Sequence, residues 1–285
     1  MLIKMQVGEQ DRGELQVNVT DSDNAPIRDA RVTISEPETA INPNSPIERL
    51  ETDVSGQTQI VDLNTPPLEY SLNENNENMP YANYNIQIEA PGYETENISN
   101  VEILPDSLSL QDVRMRRREG EQVENIDIDP HTLYAEYPEK IPEDEIKDVN
   151  EPGEIVLSRV VIPEYVVVHN GTPSSNARDY YVTYKDYIKN VASSEIYATW
   201  PRATIEANVL AIMSFTLNRV YTEWYRNKGY DFTITSSTAY DQKWIYGRNI
   251  FQSIDEVVDE IFDQYLSRPD VRQPILTQYC DGKKV

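Results

Sequence analysis

Hydrophobic and polar residues alternate through much of the first 115 positions. Leu15, Val17 and Val19 follow this period of two, and similar runs recur before residue 104. Such alternation is typical of half-buried β-strands. Asp, Asn, Pro and Gly separate the runs, as in TDVSG at 52–56, and favour turns. The pattern predicts a small antiparallel all-β sandwich over residues 1–118, which we expect to fold by itself.

The composition changes after this predicted domain. From 119 to 154 the chain is acidic and rich in proline, with Pro130, Pro138, Pro142 and Pro152. Such a segment has too few apolar side chains to form a core, and proline favours extended backbone. We therefore predict an acidic linker over this range, open to proteolysis.

Hydrophobic spacing becomes helical in the last part of the chain. Apolar and aromatic residues at 184–191 predict a helix that ends near Glu195, and a longer helix is predicted from Pro201 to about Lys228. The helix macrodipole and burial both raise the pKa of a carboxylate placed at a helix C-terminus. A raised pKa suits a general acid working near neutral pH. The alternative is a solvated surface glutamate.

The net charge of −24 excludes some classes of partner. Binding to nucleic acid requires clustered Lys and Arg, and anionic membranes attract basic segments, so neither partner is expected. With Cys280 as its single cysteine and only two histidines, the chain offers no zinc-ligand spacing, and we expect no metal. No apolar run approaches the ~20 residues of a membrane span, and no secretory signal is recognisable.

One of the two histidines, His169, lies in the turn sequence HNGTP. A general base is one interpretation of this residue. No partner acid is close to it in the motif, so a structural role is favoured.

Three segments near the end of the chain carry a recognisable pattern. They read DYIKNVASSEIYATWP (186–201), TSSTAYDQ (235–242) and ILTQYCDG (275–282). In this order they resemble the stage II sporulation protein D (SpoIID) family of lytic transglycosylases. The resemblance implies an α+β SpoIID-like catalytic domain over 155–285 and matches Glu195 to the family's catalytic glutamate.

The same resemblance implies a mechanism without a metal or organic cofactor. Glu195 would protonate the glycosidic oxygen between N-acetylmuramic acid and N-acetylglucosamine, and its carboxylate would then accept the proton of the muramoyl C6 hydroxyl. The product carries a 1,6-anhydro-muramoyl end. Met213 stands where the family has an arginine, which leaves the role of that cation open. By motif position, the implied substrate-binding residues are Ser236, Ser237, Tyr240, Gln242, Gln278 and Tyr279.

Further similarities extend along the whole chain. PPLEY (66–70), ILPDSLSLQDV (103–113), YPEKIPEDE (137–145) and VIPEYVVVHNGTP (161–173) resemble clostridial-type spore cortex-lytic enzymes of the SleC kind. The resemblance implies a precursor stored in the bacterial spore, in the cortex or coat region. A subtilisin-like protease would activate it in the linker at germination, and its substrate would be cortex peptidoglycan. Because the family continues further, the catalytic domain is expected to be incomplete at the C-terminus.

The first domain carries a resemblance of its own. DSDNAPIRDARVTI (21–34) and YNIQIEAPGY (84–93) resemble the carboxypeptidase-regulatory and transthyretin-like modules. Such a module implies an intramolecular partner or a spore-targeting role.

Two other functions stay open for the chain. One is a non-catalytic cell-wall-binding or interaction module. The other is an amidase acting on the same polymer, for which zinc is the usual cofactor.

Overall fold

The computed structural model describes residues 11–37, 46–118, 120, 123–141 and 158–277. These residues form mostly β-sheet with few helices. The chain divides into two compact units, each assembled from separate stretches of sequence. Unit 1 comprises Met1–Tyr134, Tyr197–Trp200 and Tyr246–Ser253, and unit 2 comprises Ala135–Ile196, Pro201–Ile245 and Ile254–Val285.

Twelve strands and four α-helices are found in the described residues. The strands are β1 (Asp11–Asp21), β2 (Arg31–Ser35), β3 (Pro46–Glu51), β4 (Val61–Thr65), β5 (Ala82–Glu89), β6 (Thr95–Ile103), β7 (Leu108–Met115), β8 (Val123–Asp127), β9 (Tyr165–His169), β10 (Asp179–Thr183), β11 (Ile234–Thr235) and β12 (Ile250–Phe251). The helices are α1 (Glu69–Leu72), α2 (Tyr184–Glu195), α3 (Arg202–Tyr221) and α4 (Gln252–Ile261).

Unit 1 contains two sheets, with strand orders β12-β7-β1-β4 and β3-β2-β5-β6-β8. The alternation read from the sequence holds in β1, where Leu15, Val17 and Val19 are fully buried. The predicted β-rich first domain is therefore confirmed. The purely antiparallel arrangement is corrected, because β1 pairs with β7 in parallel and β6 with β8 in parallel. Strands β2 to β6 lie between β1 and β7 in the chain, and β7 lies between β6 and β8, so each parallel pair is joined by a crossover connection.

The predicted boundary at residue 118 and the start of the predicted linker also need correction. Strand β8 lies within the predicted linker and extends the second sheet, from the pair Thr95–Val123 to the pair Ser99–Asp127. Strand β12, from much later in the chain, adds an antiparallel edge to β7. A fragment ending at residue 118 lacks both additions. The end of the predicted linker, with its activation cleavage, lies outside the described residues.

Unit 2 contains a small sheet of order β10-β9-β11 together with helices α2, α3 and α4. Helix α2 begins after Thr183, whose side chain accepts a hydrogen bond from the amide of Asp186, and it buries the aromatic and apolar face predicted from the sequence. Glu195 is its last residue, as predicted. Helix α3 ends at Tyr221, earlier than expected. A short 3₁₀ turn follows, and Gly229 closes it at a φ of 83°.

Across the described residues, no helix has the combination of length and apolar character that a membrane crossing requires.

Candidate active site

Within the described part of the chain, the carboxylate of Glu195 accepts a single hydrogen bond. Its Oε1 atom accepts from the backbone N–H of Lys243 at 2.7 Å. Its Oε2 atom is shielded from solvent and has no hydrogen-bond partner among the described residues. Burial raises the pKa of Glu195 to about 7, although the Lys243 amide and the charge of Lys140 both favour the ionised form. At neutral pH this group is therefore poised both to give and to accept a proton.

The amide that holds Glu195 is itself fixed to helix α2. The side chain of Asn190 donates to the carbonyl of Ile245 at 2.8 Å and accepts from its N–H at 2.9 Å. Asn190 lies on the same helix as Glu195, and Ile245 is two residues beyond Lys243. The reciprocal pair therefore keeps the Lys243 amide in place beside the carboxylate.

A second buried carboxylate, Asp241, fixes the loop that precedes Lys243. Arg219 donates to Asp241 Oδ1 at 2.8 Å, and both side chains are completely inaccessible. Tyr225 and Thr235 donate to Oδ2 from their hydroxyls at 2.6 and 2.7 Å. With every partner supplied by the protein, Asp241 acts as a structural anchor. Sequence reasoning missed this role, although Asp241 lies inside the TSSTAYDQ motif.

Gln242, predicted to bind substrate, is instead an interior residue. It is only 3% exposed. Its Oε1 accepts from the hydroxyls of Thr216 at 2.9 Å and Tyr187 at 3.3 Å, and its Nε2 donates to the carbonyl of Ile212 at 3.1 Å. The side-chain amide is thus bonded through both its oxygen and its nitrogen to α2 and α3. Gln242 positions the loop rather than facing a ligand.

The other predicted binding residues differ in accessibility. Ser236 is buried, and its hydroxyl donates to the Asn170 side chain at 3.0 Å. Ser237 and Tyr240 are partly exposed, and they lie at the two ends of a turn closed by the bond from Tyr240 N–H to the Ser237 carbonyl at 3.1 Å. Gln278 and Tyr279 lie outside the described residues.

A short segment of unit 2, residues 137–141, lies on the loop that leads to Lys243. The N–H of Ile141 donates to the carbonyl of Ala239 at 2.7 Å. The ammonium of Lys140 donates to the carbonyl of Asp241 at 3.0 Å, and its charge favours the ionised form of Glu195. We call residues 137–141 the strap. Its contacts place a cation from the predicted linker beside the candidate acid.

Two further observations concern alternative chemistries. Met213, which stands where the resemblance to SpoIID proteins would place an arginine, is fully buried in α3, so this helix position brings no cation to the site. The described residues contain no group of three or more His, Cys, Asp or Glu side chains arranged to hold a metal ion.

Comparison with known proteins gives no family assignment. No family model matches the chain. No curated protein matches it either. Among solved structures, catechol 1,2-dioxygenase of Acinetobacter radioresistens is 13% identical over 41% of this chain and 58% of its own, with a TM-score of 0.28. The minor pilin GBS52 of Streptococcus agalactiae is 16% identical over 40% and 48%, with a TM-score of 0.27. Likeness at this level supports no conclusion about function.

Proposed function

We propose that the protein is a precursor of a peptidoglycan lytic transglycosylase that degrades spore cortex peptidoglycan, with Glu195 as its catalytic acid and base. The observation that supports this most is the state of the Glu195 carboxylate. One oxygen is fixed by a backbone amide, the other has no partner among the described residues, and burial raises the pKa to about 7. A carboxyl group with these properties can serve a reaction that needs a proton donor and then a proton acceptor.

The chemistry uses this single group twice. Most glycoside hydrolases divide the work between two carboxylates. Here the protonated Glu195 gives its proton to the glycosidic oxygen, and the bond between N-acetylmuramic acid and N-acetylglucosamine breaks. The resulting carboxylate takes the proton of the muramoyl C6 hydroxyl as that oxygen attacks C1. The Lys243 N–H bonds Oε1 more strongly once the group is charged, so it limits the cost of the ionised intermediate.

Within this proposal the predicted binding residues take different roles. Ser237 and Tyr240 are partly exposed and remain available to bind the sugar chain. Ser236 and Gln242 are buried and hydrogen-bonded within the protein, so they shape the loop. Gln278 and Tyr279 keep the binding role that the motif implies.

The strap gives the proposed activation a physical basis. Two hydrogen bonds hold it to the loop beside Glu195: one from the backbone N–H of Ile141 and one from the charged ammonium of Lys140. Cleavage of the predicted linker after residue 141 by a subtilisin-like protease would break the covalent path from the strap to the following chain and leave non-covalent contacts, these two among them, to hold the strap on the loop. We therefore propose that the uncut chain is the stored form in the spore and that cutting promotes release of the strap from the site.

The decisive test compares Glu195→Gln with Glu206→Gln. Both replace a glutamate of unit 2 by its neutral isostere, but Glu206 lies on the outside of α3, paired with Arg202 at 2.9 Å. The full chain, before and after subtilisin treatment, is incubated with purified cortex, and 1,6-anhydro-muropeptides are measured by mass spectrometry. Glu195→Gln should lower their release by at least about a hundredfold, as expected for loss of a general acid, and Glu206→Gln should leave it unchanged. Near-normal anhydro product from Glu195→Gln would overturn the assignment.

A second candidate is a non-catalytic cell-wall-binding module. The buried Met213 favours it, because the family's arginine is missing from that helix position. In the same experiment this function predicts binding to cortex with no new products from the unmodified chain. An amidase would release peptides and leave the glycan strands intact.

A further inference from the structure

Three side chains of unit 2 form a hydrogen-bonded series that the proposed function does not use. His169 Nδ1 lies 2.7 Å from Asp179 Oδ1, and His169 Nε2 lies 3.1 Å from Ser175 Oγ. The histidine is 6% exposed, whereas Ser175 lies at the surface. An acid, an imidazole and an accessible hydroxyl in this order are the components of a serine nucleophile with its base.

The fold positions each component for a separate reason. His169 ends β9 and Asp179 begins β10, and the two residues are direct partners in the antiparallel register, so their side chains lie side by side. Phe232 stacks on the imidazole at 4.6 Å and 18° between the ring planes, which restricts its rotation. The hairpin between the strands returns Ser175 to the second ring nitrogen.

The hairpin is closely packed where Gly171 approaches Ser175. A Cβ atom at Gly171 would lie 2.4 Å from the Ser175 hydroxyl oxygen and 3.2 Å from the Cβ of Ala177. The glycine therefore permits the close approach of the hydroxyl to the histidine. The Ser175 hydroxyl also lies 2.7 Å from the carbonyl of Thr172, so its proton has two acceptors. Rotation toward His169 directs the proton to the imidazole.

We propose that Ser175, His169 and Asp179 form a second reactive site, which hydrolyses accessible carboxylic esters. The Ser175 oxygen attacks the acyl carbon while its proton passes to His169 Nε2, and Asp179 holds the imidazolium through Nδ1–H. The C–O bond to the alcohol then breaks, and the alcohol leaves with the proton from His169. Water then attacks the acyl carbon and gives its proton to His169 Nε2. The bond to the Ser175 oxygen breaks, that oxygen takes the proton back from His169, and the carboxylic acid is released. The N–H of Asn176, directly after the nucleophile, is not bonded to any described acceptor and can meet the developing oxyanion.

The exposed position of the site determines the class of substrate. Ser175 lies on the outside of a hairpin, so an ester is attacked where it projects from a larger molecule or on a small free ester. Esters are favoured over amides because an alkoxide is the better leaving group. This activity does not depend on Glu195, and its failure would leave the proposed transglycosylase function untouched.

A fluorophosphonate probe tests the proposal on the full chain. It should modify Ser175, located by peptide mass mapping, and p-nitrophenyl acetate should be hydrolysed. Ser175→Ala should abolish modification and lower hydrolysis about a hundredfold or more, as expected for loss of a nucleophile. Asp179→Asn should slow modification at least tenfold while leaving Ser175 in place.

The matched control is Ser174→Ala, which removes an equally exposed hydroxyl outside the series and should change neither rate. The proposal is overturned if Ser175 is unmodified, if it reacts no faster than Ser174, or if Asp179→Asn has no effect. Any of these results would make the series a structural link within the hairpin.

Discussion

Glu102 of unit 1 and Glu195 of unit 2 each have a carboxylate oxygen shielded from water, but the groups that hold the two carboxylates differ. Glu102 is 1% exposed and lies 2.6 Å from the guanidinium of Arg248, whose side chain is completely inaccessible. Asn249 adds two bonds to the Glu102 backbone. Among the described residues, the hydrogen bond to the Glu195 carboxylate comes from a backbone amide and not from a cation. Burial raises the pKa of both groups, and at Glu102 the adjacent arginine opposes this effect.

This difference separates a structural carboxylate from a candidate catalytic one. A buried ion pair compensates the loss of water by a second charge, which favours the ionised form of the carboxylate. A buried carboxylate without a cation in direct contact keeps a raised pKa. Its ionised form lowers the free energy of unfolding. A strongly raised pKa that brings no gain in stability is typical of functional sites. The same substitution at the two positions should therefore have opposite effects on stability.

The largest effect is expected at the ion pair. Glu102→Gln leaves the guanidinium of Arg248 buried, and arginine stays protonated at any relevant pH. Breaking such a pair costs about 3–5 kcal/mol. We expect the free energy of unfolding, measured by urea denaturation, to fall by this amount at pH 8. Replacement of both residues, Glu102→Gln with Arg248→Met, should recover part of the loss. A Glu102→Gln protein as stable as the unmodified chain would show that Glu102 has no structural role as the partner of Arg248.

The second effect has the opposite sign and depends on pH. The pKa of Glu195 is about 7 in the folded chain against 4.5 for a free group. Below pH 4.5 the carboxyl is protonated in both the folded and unfolded states, and its contribution to stability is fully present. Between pH 4.5 and 7 the unfolded state loses its proton first, so stability falls by about 3 kcal/mol.

Glu195→Gln should abolish this pH dependence. We expect the variant to match the unmodified chain near pH 4 and to exceed its free energy of unfolding by up to about 3 kcal/mol at pH 8. Glu206→Gln is the control and should follow the unmodified curve, since Glu206 is an exposed partner of Arg202. If Glu195→Gln and the unmodified chain were equally stable at pH 8, the folded protein would not disfavour the ionised form of Glu195.

The sequence predicted one half of this comparison better than the other. The apolar period of α2 is local, so the position of Glu195 at its C-terminus could be read directly. The partners of both glutamates come from distant segments: Lys243 is 48 residues from Glu195, and Arg248 is 146 residues from Glu102. Periodicity carries no information about such pairings.

The same reason explains the misjudged boundary of the first domain and the missed partner of His169. Strand β12 has only two residues, too few to show a period, and it belongs to a sheet formed mainly by the first 115 residues. Asp179 is ten residues from His169, and only the hairpin register brings them together. The helical and alternating patterns were predictable, whereas contacts between elements required the folded chain.

The smallest expected effect concerns Lys140, the only strap residue whose charge acts on Glu195 among the described residues. Its ammonium donates to the Asp241 carbonyl and lies 4.7 Å from the ring of Phe215. A nearby cation stabilises a carboxylate, so its removal should raise the pKa of Glu195 above about 7, by less than about one pH unit. Lys140→Met retains most of the packing of the side chain and removes the charge.

The titration of the Glu195 carboxyl carbon, followed by ¹³C NMR, measures this change. Lys243→Met is the matched control: its side chain packs over Tyr137 of the strap at 4.7 Å, but it is the backbone amide of Lys243 that bonds Glu195. The control should leave the midpoint unchanged, because that amide is retained. An unchanged midpoint in Lys140→Met would show that burial and the amide alone set the acidity of Glu195. A raised midpoint would show that the charge of Lys140 lowers the pKa of Glu195 while the strap is in place. Under the proposed function, that charge would restrain activity before the linker is cut.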